Sequence, residues 1–297
     1  MAIGFGNQGG LGPSGPSSAG PDASPPARRR KARLGGRSAV ISTVSTVVFF
    51  VVIGAVLVNA PGMSKVANAF FSGHAFIQSL PDVAHGFLIN VELMLVAEVF
   101  VLIVALIVAV IRSMPGPVLA PLRIVAIAYT DIFRGVPLIL VIFIVGLGVP
   151  GLQMSFVSHQ SLFVYGVVAL VLVYSAYVAE VYRAGIDSVH ASQMAAARSL
   201  GLSQWQALRY VILPQAVRRV IPPLLNDFIG LQKDTALIGL LGLVEVARAA
   251  ENFSSETFNF TGYTVAALLF IAVTIPLARV TDVLINRDRR RMRASGG

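Results

Sequence analysis

The chain has 297 residues, of which 56% are hydrophobic and only 12% are charged, and its mean hydropathy is +0.78. A soluble domain carries about 25% charged residues, so the composition excludes an ordinary soluble protein and indicates one that crosses a membrane several times. The chain contains no cysteine, which excludes disulfides, thiol catalysis and thiolate metal sites. The net charge of +9 lies mostly beside apolar blocks, an arrangement that favours a membrane partner over nucleic acid.

The chain begins with a polar segment followed by an uncharged one. Residues 1–37 are rich in Gly, Pro and Ser and end in the basic run ARRRKAR and Arg37, which predicts a disordered basic cytoplasmic tail. The next block has no charge as far as Ser64. It is longer than the 7–15 residues of a signal-peptide core, and no clear cleavage site follows. It therefore predicts a retained transmembrane helix over 38–60.

Five further apolar spans are predicted, each near the ~20 residues that a membrane-crossing helix needs. They lie at 86–111, 134–150, 161–183, 221–245 and 262–285. The second of these is the shortest and could extend backwards into 124–133. The fourth is the least apolar, because Asp227, Lys233 and Asp234 interrupt it. With the first helix, the sequence predicts an all-α polytopic membrane protein with six transmembrane helices.

The basic residues predict the orientation of these six spans. An even number of spans puts both termini on one side, and all but three of the 23 lysines and arginines fall in the segments on that side. Such a bias is typical of cytoplasmic segments. We therefore expect a multi-pass protein of the cell membrane with cytoplasmic termini, including a second basic tail at 286–297. The segment 61–85 is then expected to be an outward loop.

The predicted cytoplasmic segment QMAAARSLGLSQWQALRYVILPQA (193–216) has the pattern of two helices with a break. Gly201 can end the first helix in the left-handed conformation, and Ser203 with Gln206 forms the S-x-x-Q capping box of the second. Pro214 is expected to end that second helix. Its apolar face is predicted to contain Trp205, Leu208, Val211 and Ile212. From the pattern alone, a hairpin seated in a cleft of another protein and one lying on lipid headgroups are equally acceptable interpretations.

A resemblance favours the first interpretation. The segment resembles the cytoplasmic EAA loop of binding-protein-dependent ABC importer permeases, in which E-A-A is followed by Gly and then by I-x-L-P. The matching residues are Ala196, Ala197, Gly201, Ile212, Leu213 and Pro214. The motif glutamate is Ala195 here, so the resemblance does not imply the contact that the glutamate carboxylate would make with an ATPase.

Three other segments resemble motifs of the polar amino-acid permeases, of the histidine, glutamine and glutamate type, within this family. They are YTDIFRGVPL (129–138), SAYVAEVYRAGIDSV (175–189) and IPPLLNDFIGLQKDTALIGLLGLVEV (221–246). The resemblance implies a MetI-like, five-helix type I ABC importer core over 86–285 with a coupling loop at 184–219. The helix at 38–60 would be an addition to that core.

The resemblance also implies partners. The coupling loop would contact an ATP-binding cassette subunit, present in two copies, through Gln193, Ala195, Ala196, Ala197, Arg198 and Gly201. A second permease, identical or related, and an extracytoplasmic solute-binding protein would complete the importer. The chain is not expected to be an enzyme or to bind a cofactor itself. None of its three lysines follows a glycine, so it lacks the phosphate-binding loop of an ATPase, and ATP would be used by the partner.

The predicted function is therefore that of a permease subunit of an ATP-driven importer of a polar amino acid. General likeness favours glutamate or glutamine as substrate, and basic amino acids remain possible. Charges within membrane spans usually face the bundle interior. The expected substrate path contains Glu98, Tyr177, Glu180, Asn226, Lys233 and Asp234, although a buried network that only fixes helix packing is an alternative for its charged members. The alternative function is an ion-coupled secondary transporter of amino acids, in which the buried carboxylates would carry ions.

Overall fold

The computed structural model describes residues 36–113, 117–154, 157–189 and 191–294, and every regular element in these ranges is helical. The helices are α1 (Gly36–Val58), α2 (Met63–Phe70), α3 (Gly73–Ser113), α4 (Ala120–Gly135), α5 (Leu138–Phe143), α6 (Val149–Gly151), α7 (Leu162–Asp187), α8 (Ala191–Ser199), α9 (Gln204–Ala207), α10 (Leu213–Asp234), α11 (Val246–Thr257) and α12 (Thr261–Ala294). Two π-helical turns join α5 to α6 (Ile144–Gly148) and α9 to α10 (Leu208–Ile212), and a 3₁₀ segment (Thr235–Leu241) follows α10. Apart from residues 36 and 37, the predicted tail lies outside the described residues.

The described residues divide into two units: the first contains α1 and ends at Ala60, and the second begins at Pro61. Within its unit, α1 carries apolar side chains around its whole circumference, and none of them is buried between Ser38 and Val56. A helix that is apolar all round is suited to lipid. This helix corresponds to the span predicted at 38–60.

Among the residues that the structure describes, four helical stretches are long and apolar enough to cross a membrane: Ser38–Val56, Met63–Ser113, Leu162–Asp187 and Thr261–Arg287. Helices α4 and α5–α6 form a fifth only if they count as one span, and the two parts meet at 108°. The predicted count of six is therefore not confirmed. The predicted span 221–245 does not form one helix, because α10 ends at Asp234 and a 3₁₀ segment and a loop follow it.

Two further predictions about the membrane segments differ from the structure. The predicted outward loop at 61–85 is largely helical, since it contains α2 and the first turns of α3. The predicted span 134–150 contains a break instead of continuing as one helix. Pro137 holds Val136 in an extended conformation (φ −95°, ψ 130°), so α4 ends at Gly135.

The main core of the second unit is built around α7. Small side chains on the facing side of α3, such as Ala97 and Ala105, are fully buried in it, which allows the two helices to approach closely. Side chains from α5 and α10 complete this core. At the far end of α7, Gly185 lies so close to α10 that a Cβ atom there would be 2.1 Å from Val220 Cγ1. These contacts fix α3, α5 and α10 around α7.

A buried polar cluster fixes the chain that follows α10. Glu245 is fully buried and caps α11 by accepting hydrogen bonds from the backbone N–H groups of Ala247 (3.0 Å) and Arg248 (2.9 Å). Asn90 on α3 donates to the same carboxylate (3.1 Å) and to Thr235 Oγ1 (3.0 Å). Buried polar groups are costly unless they are paired in this way. The cluster therefore ties α3 to both the 3₁₀ segment and α11.

Candidate substrate cavity and coupling hairpin

A cavity of about 450 Å³ opens beside the break between α4 and α5, where these helices face α7 and α10. Its polar side chains come from three helices: Arg134 on α4, Tyr174 and Tyr177 on α7, and Asn226, Asp227 and Asp234 on α10. Its remaining lining is backbone and aliphatic surface from Gly135, Val136, Pro137, Leu138, Val173 and Gly230. The helix break thus contributes directly to the cavity wall.

The α10 wall of the cavity is anionic. Asp227 and Asp234 are seven residues apart, which places them on one face of a helix, about 10.5 Å apart along its axis. Tyr174 Oη donates a hydrogen bond to Asp234 Oδ2 (2.8 Å). Gly230 lies between the two aspartates, and a Cβ there would be only 3.2 Å from Tyr174 Oη. The small residue at this position therefore allows α7 to approach α10 closely enough for this hydrogen bond.

The α4 wall carries a cation. Arg134 lies in the last turn of α4, with its Cζ 6.0 Å from the centre of the Tyr177 ring. Tyr177 Oη donates a hydrogen bond to the backbone oxygen of Arg134 (3.3 Å). The aromatic ring and the hydrogen bond hold this end of α4 against α7, and the guanidinium is attracted to the face of the ring.

Behind this wall, Glu180 on α7 ties three helices together. It accepts hydrogen bonds from Arg112 of α3 and from Arg183 Nη2 (2.9 Å), and its Oε1 lies 3.6 Å from Arg134 Nη1. Arg112 also donates to Thr130 Oγ1 on α4 (2.7 Å). Because Glu180 is surrounded by arginines and does not line the cavity, its contacts are those of a residue that fixes helix packing.

The structure brings together three of the six residues expected on the substrate path. Tyr177, Asn226 and Asp234 line the cavity, whereas Glu98, Glu180 and Lys233 do not. Glu98 is partly buried on α3 and lies close enough to Asp227 for the two carboxylates to repel each other. Lys233 on α10 is exposed.

The sequence-based selection did not include three polar residues of the cavity: Arg134, Tyr174 and Asp227. Arg134 lies in the motif segment YTDIFRGVPL, and this motif could have indicated it as a site residue. Asp227 was visible as one of the charges within a predicted span. Tyr174 has no such signal, because tyrosines in spans usually pack or lie at interfaces.

The hairpin at 193–216 forms as its capping residues predict. Gly201 has φ +83°, and the N–H groups of Gly201 and Leu202 donate to the carbonyls of Arg198 (3.0 Å) and Ala197 (3.2 Å). This is the Schellman arrangement that ends a helix. The capping box is complete, since Gln206 N donates to Ser203 Oγ (3.2 Å) and Ser203 N donates to Gln206 Oε1 (2.8 Å).

Two predictions about the second half of the hairpin are wrong. Pro214 does not end a helix, because the chain continues from α9 through a π turn into α10, and Pro214 lies in the first turn of α10. The predicted single apolar face is divided: Ile212 is buried, but Trp205 is 67% exposed. A π turn adds a residue to the helical repeat, so residues on either side of it no longer share one face.

The six residues expected to couple to an ATPase divide between surface and interior. Ala197 is buried in the hairpin. The other five, Gln193, Ala195, Ala196, Arg198 and Gly201, are exposed. Leu200 (83% exposed) and Trp205 lie beside them as large apolar side chains on the surface. The hairpin therefore presents a mixed polar and apolar surface that sequence reasoning described only in part.

Comparisons with known proteins agree with these features. Residues 102–291 match the family described as binding-protein-dependent transport system inner membrane component. A probable glutamine ABC transporter permease protein, GlnM of Bacillus subtilis, is 38% identical over 57% of this chain and 77% of its own length. The arginine transport system permease protein ArtQ of the same organism is 33% identical over 63% of this chain and 82% of its own length.

A solved structure described as an amino acid ABC transporter with histidines superimposes with a TM-score of 0.66 at 30% identity, over 71% of this chain and 96% of that chain. The relatives named here are permease components of ABC transporters, in which a separate subunit hydrolyses ATP. An ion-coupled secondary transporter is therefore not the function of this chain. The family match covers more than half of the sequence, and the chain belongs to the binding-protein-dependent inner membrane component family as a permease subunit of an ABC amino-acid importer.

Proposed function

We propose that the cavity between α4, α7 and α10 holds the transported amino acid on its way across the membrane. A zwitterion needs a cation for its carboxylate and an anion for its ammonium. Arg134 on α4 and Asp234 on α10 offer these charges in the lining of one space of about 450 Å³, and this pair of unlike charges is the observation on which the proposal rests. Charge-assisted hydrogen bonds of this kind are stronger than neutral ones.

The substrate in this proposal is a polar amino acid. Glutamate and glutamine follow from the family likeness, and the relatives named above are described for glutamine and for arginine. Each of these has the same ammonium and carboxylate groups. The unlike charges of Arg134 and Asp234 therefore account for binding of the class, and the choice among its members depends on further groups.

The hairpin is proposed to be the element that receives the motion of an ATP-binding cassette subunit. Its exposed surface, defined by Gln193, Ala195, Ala196, Arg198 and Gly201, has Leu200 and Trp205 beside it as apolar contacts. Exposed large apolar side chains next to polar ones are typical of protein interfaces. The complete importer would contain two such ATPase subunits, a second permease and an extracytoplasmic solute-binding protein.

The orientation is proposed from the distribution of charge. The hairpin with Arg198 and Arg209 and both ends of the chain would face the cytoplasm, where basic residues accumulate. The segment around α11 carries Glu251 and Glu256 and would face outward. An ATPase can contact the hairpin only if this orientation holds.

The test uses the full importer reconstituted in liposomes, with ATP enclosed and labelled amino acids outside. Arg134→Ala and Asp234→Asn are each expected to abolish uptake, because each removes one of the two charges that hold the zwitterion. Arg279→Ala, at an exposed position of α12, is the control and should transport normally. Normal uptake by both cavity variants would contradict the proposal.

A further inference from the structure

One carboxylate of the cavity has no role in binding a zwitterion. The amino acid's own ammonium and carboxylate are matched by Asp234 and Arg134. Asp227 is a second anion on the same face of α10 and lines the same cavity. The cavity therefore has one negative charge more than the backbone groups of an amino acid require.

Asp227 differs from Asp234 in its partners. Asp234 accepts a hydrogen bond from Tyr174 Oη (2.8 Å). Asp227 Oδ2 is inaccessible to solvent and has no hydrogen-bond partner in the described part of the chain. A buried polar oxygen without a partner is costly, and a bound ion or ligand group that pairs with it is one way in which native structures offset that cost.

In the described part of the chain, Asp227 forms no ion pair with a lysine or arginine. Among the described residues, neither Asp227 nor Glu98, whose carboxylate interacts with that of Asp227, has a lysine or arginine within 4.0 Å. Lys233, on the same helix, is exposed and does not line the cavity. Arg134 is already close to Glu180 (3.6 Å). Within the described residues no cationic side chain is in ion-pair contact with Asp227, so its environment attracts a cation.

We propose that Asp227 binds the side chain of the substrate, and that the cavity consequently selects an amino acid with a cationic side chain, such as arginine or lysine, over glutamine and glutamate. The proposal depends on the proposed function, because it assigns a side-chain contact within the same cavity. Glutamine would leave the Asp227 charge unpaired. Glutamate would place another carboxylate beside Asp227, and like charges at short range repel.

The experiment measures binding to the purified permease–ATPase complex in detergent, without the solute-binding protein, so that selectivity of that partner does not contribute. Radiolabelled arginine, lysine, glutamine and glutamate are the probes. The wild-type complex is expected to bind arginine and lysine roughly tenfold or more tightly than glutamine, and glutamate most weakly. Asp227→Asn should lose this preference and keep its affinity for glutamine.

Two further variants make the result specific. Asp227→Glu retains the charge and should retain the preference for arginine. Asp131→Asn makes the same change of charge at an exposed position of α4 that does not line the cavity, and should bind like the wild type. The proposal is wrong if wild-type protein binds glutamine or glutamate as tightly as arginine. That test needs no variant to fold.

Failure of the two proposals can be told apart. If all four amino acids bind with similar affinity and Arg134→Ala abolishes that binding, the cavity holds the substrate but Asp227 does not select it. If none binds and uptake does not respond to Arg134→Ala, the cavity is not the substrate site, and both proposals are wrong.

Discussion

The cavity and the hairpin are stabilised by different kinds of contact. At the cavity, the hydrogen bonds join residues far apart in sequence, as in Tyr174 to Asp234 and Arg112 to Glu180. At the turn of the hairpin they join close neighbours, as in Ser203 to Gln206. The shape of the hairpin turn is therefore determined by a short segment, whereas the cavity exists only when four helices have packed together.

This difference suits the two proposed tasks. A substrate site needs charges held at fixed positions by a rigid scaffold. A coupling element must keep its own form while the helices above it move. A hairpin whose caps are local can do so, because its hydrogen bonds do not depend on the arrangement of the bundle. We therefore expect substitutions at the cavity to leave the stability of the hairpin turn unchanged, and substitutions at the hairpin turn to leave that of the cavity unchanged.

The largest effect is expected for Glu180→Ala. The substitution removes the carboxylate that pairs with Arg112, whose side chain is only 11% exposed. Breaking a buried ion pair by removing one partner costs about 3–5 kcal/mol. We expect a lower midpoint of thermal unfolding in detergent, with amide exchange at residues 201–206 unchanged. Glu251→Ala, which removes an exposed ion pair with Arg248, is the control and should cost ~1 kcal/mol or less.

The next largest effect on the unfolding midpoint is expected for Gly86→Ala. A Cβ at this position would lie 2.7 Å from the backbone carbon of Glu245, so α3 and the start of α11 would have to separate. Overpacking of this kind costs about 1–3 kcal/mol. Gly73→Ala, where no atom lies within 4 Å of the added carbon, should leave the unfolding midpoint unchanged. Equal midpoints for the two variants would show that the contact around Gly86 can relax freely.

Predictability from sequence follows the same division. The hairpin turn was predictable to the residue, since Gly201, Ser203 and Gln206 act on their immediate neighbours. The course of the chain after the turn was not predictable. A π turn at Leu208–Ile212 continues the helix past Pro214, and no pattern in the sequence distinguishes this π turn from an ordinary helical turn. The membrane-protein class and the family also followed from composition and motifs.

The cavity was only partly predictable. Charges within spans indicated Asp227, Asp234, Glu98 and Glu180 as interior groups, yet their assignment to cavity or packing depends on the break at Val136 and Pro137. Next to that break, Arg134 lines the cavity, whereas Glu180 does not. Sequence patterns place a residue on a helix, but they do not give the angle between two helices.

Gly201→Ala should act on the hairpin alone. Its φ of +83° lies in the left-handed region, where a residue with a Cβ costs about 1–2 kcal/mol, and no atom would obstruct the added carbon itself. We expect faster amide exchange in α8 and α9 and an unchanged midpoint for the bundle. Gly135→Ala, with nothing within 4 Å of its added carbon, provides the comparison outside the hairpin. A fall in the midpoint as large as that of Glu180→Ala would contradict the separation.

The smallest and most local effect is expected for Ser203→Ala. It removes the oxygen that accepts the Gln206 N–H, a change that costs typically ~1 kcal/mol at a helix start. Amide exchange at Gln206 should become faster by a corresponding factor of roughly five, while the thermal midpoint stays the same. Ser199→Ala, which removes an exposed hydroxyl bonded to the Ala195 carbonyl, should change neither, because such bonds within a helix add little stability. If Ser203→Ala instead lowered the midpoint of the whole bundle, the hairpin turn would be part of the cooperative core, and motion of an ATPase would have to deform that core and not merely displace the hairpin.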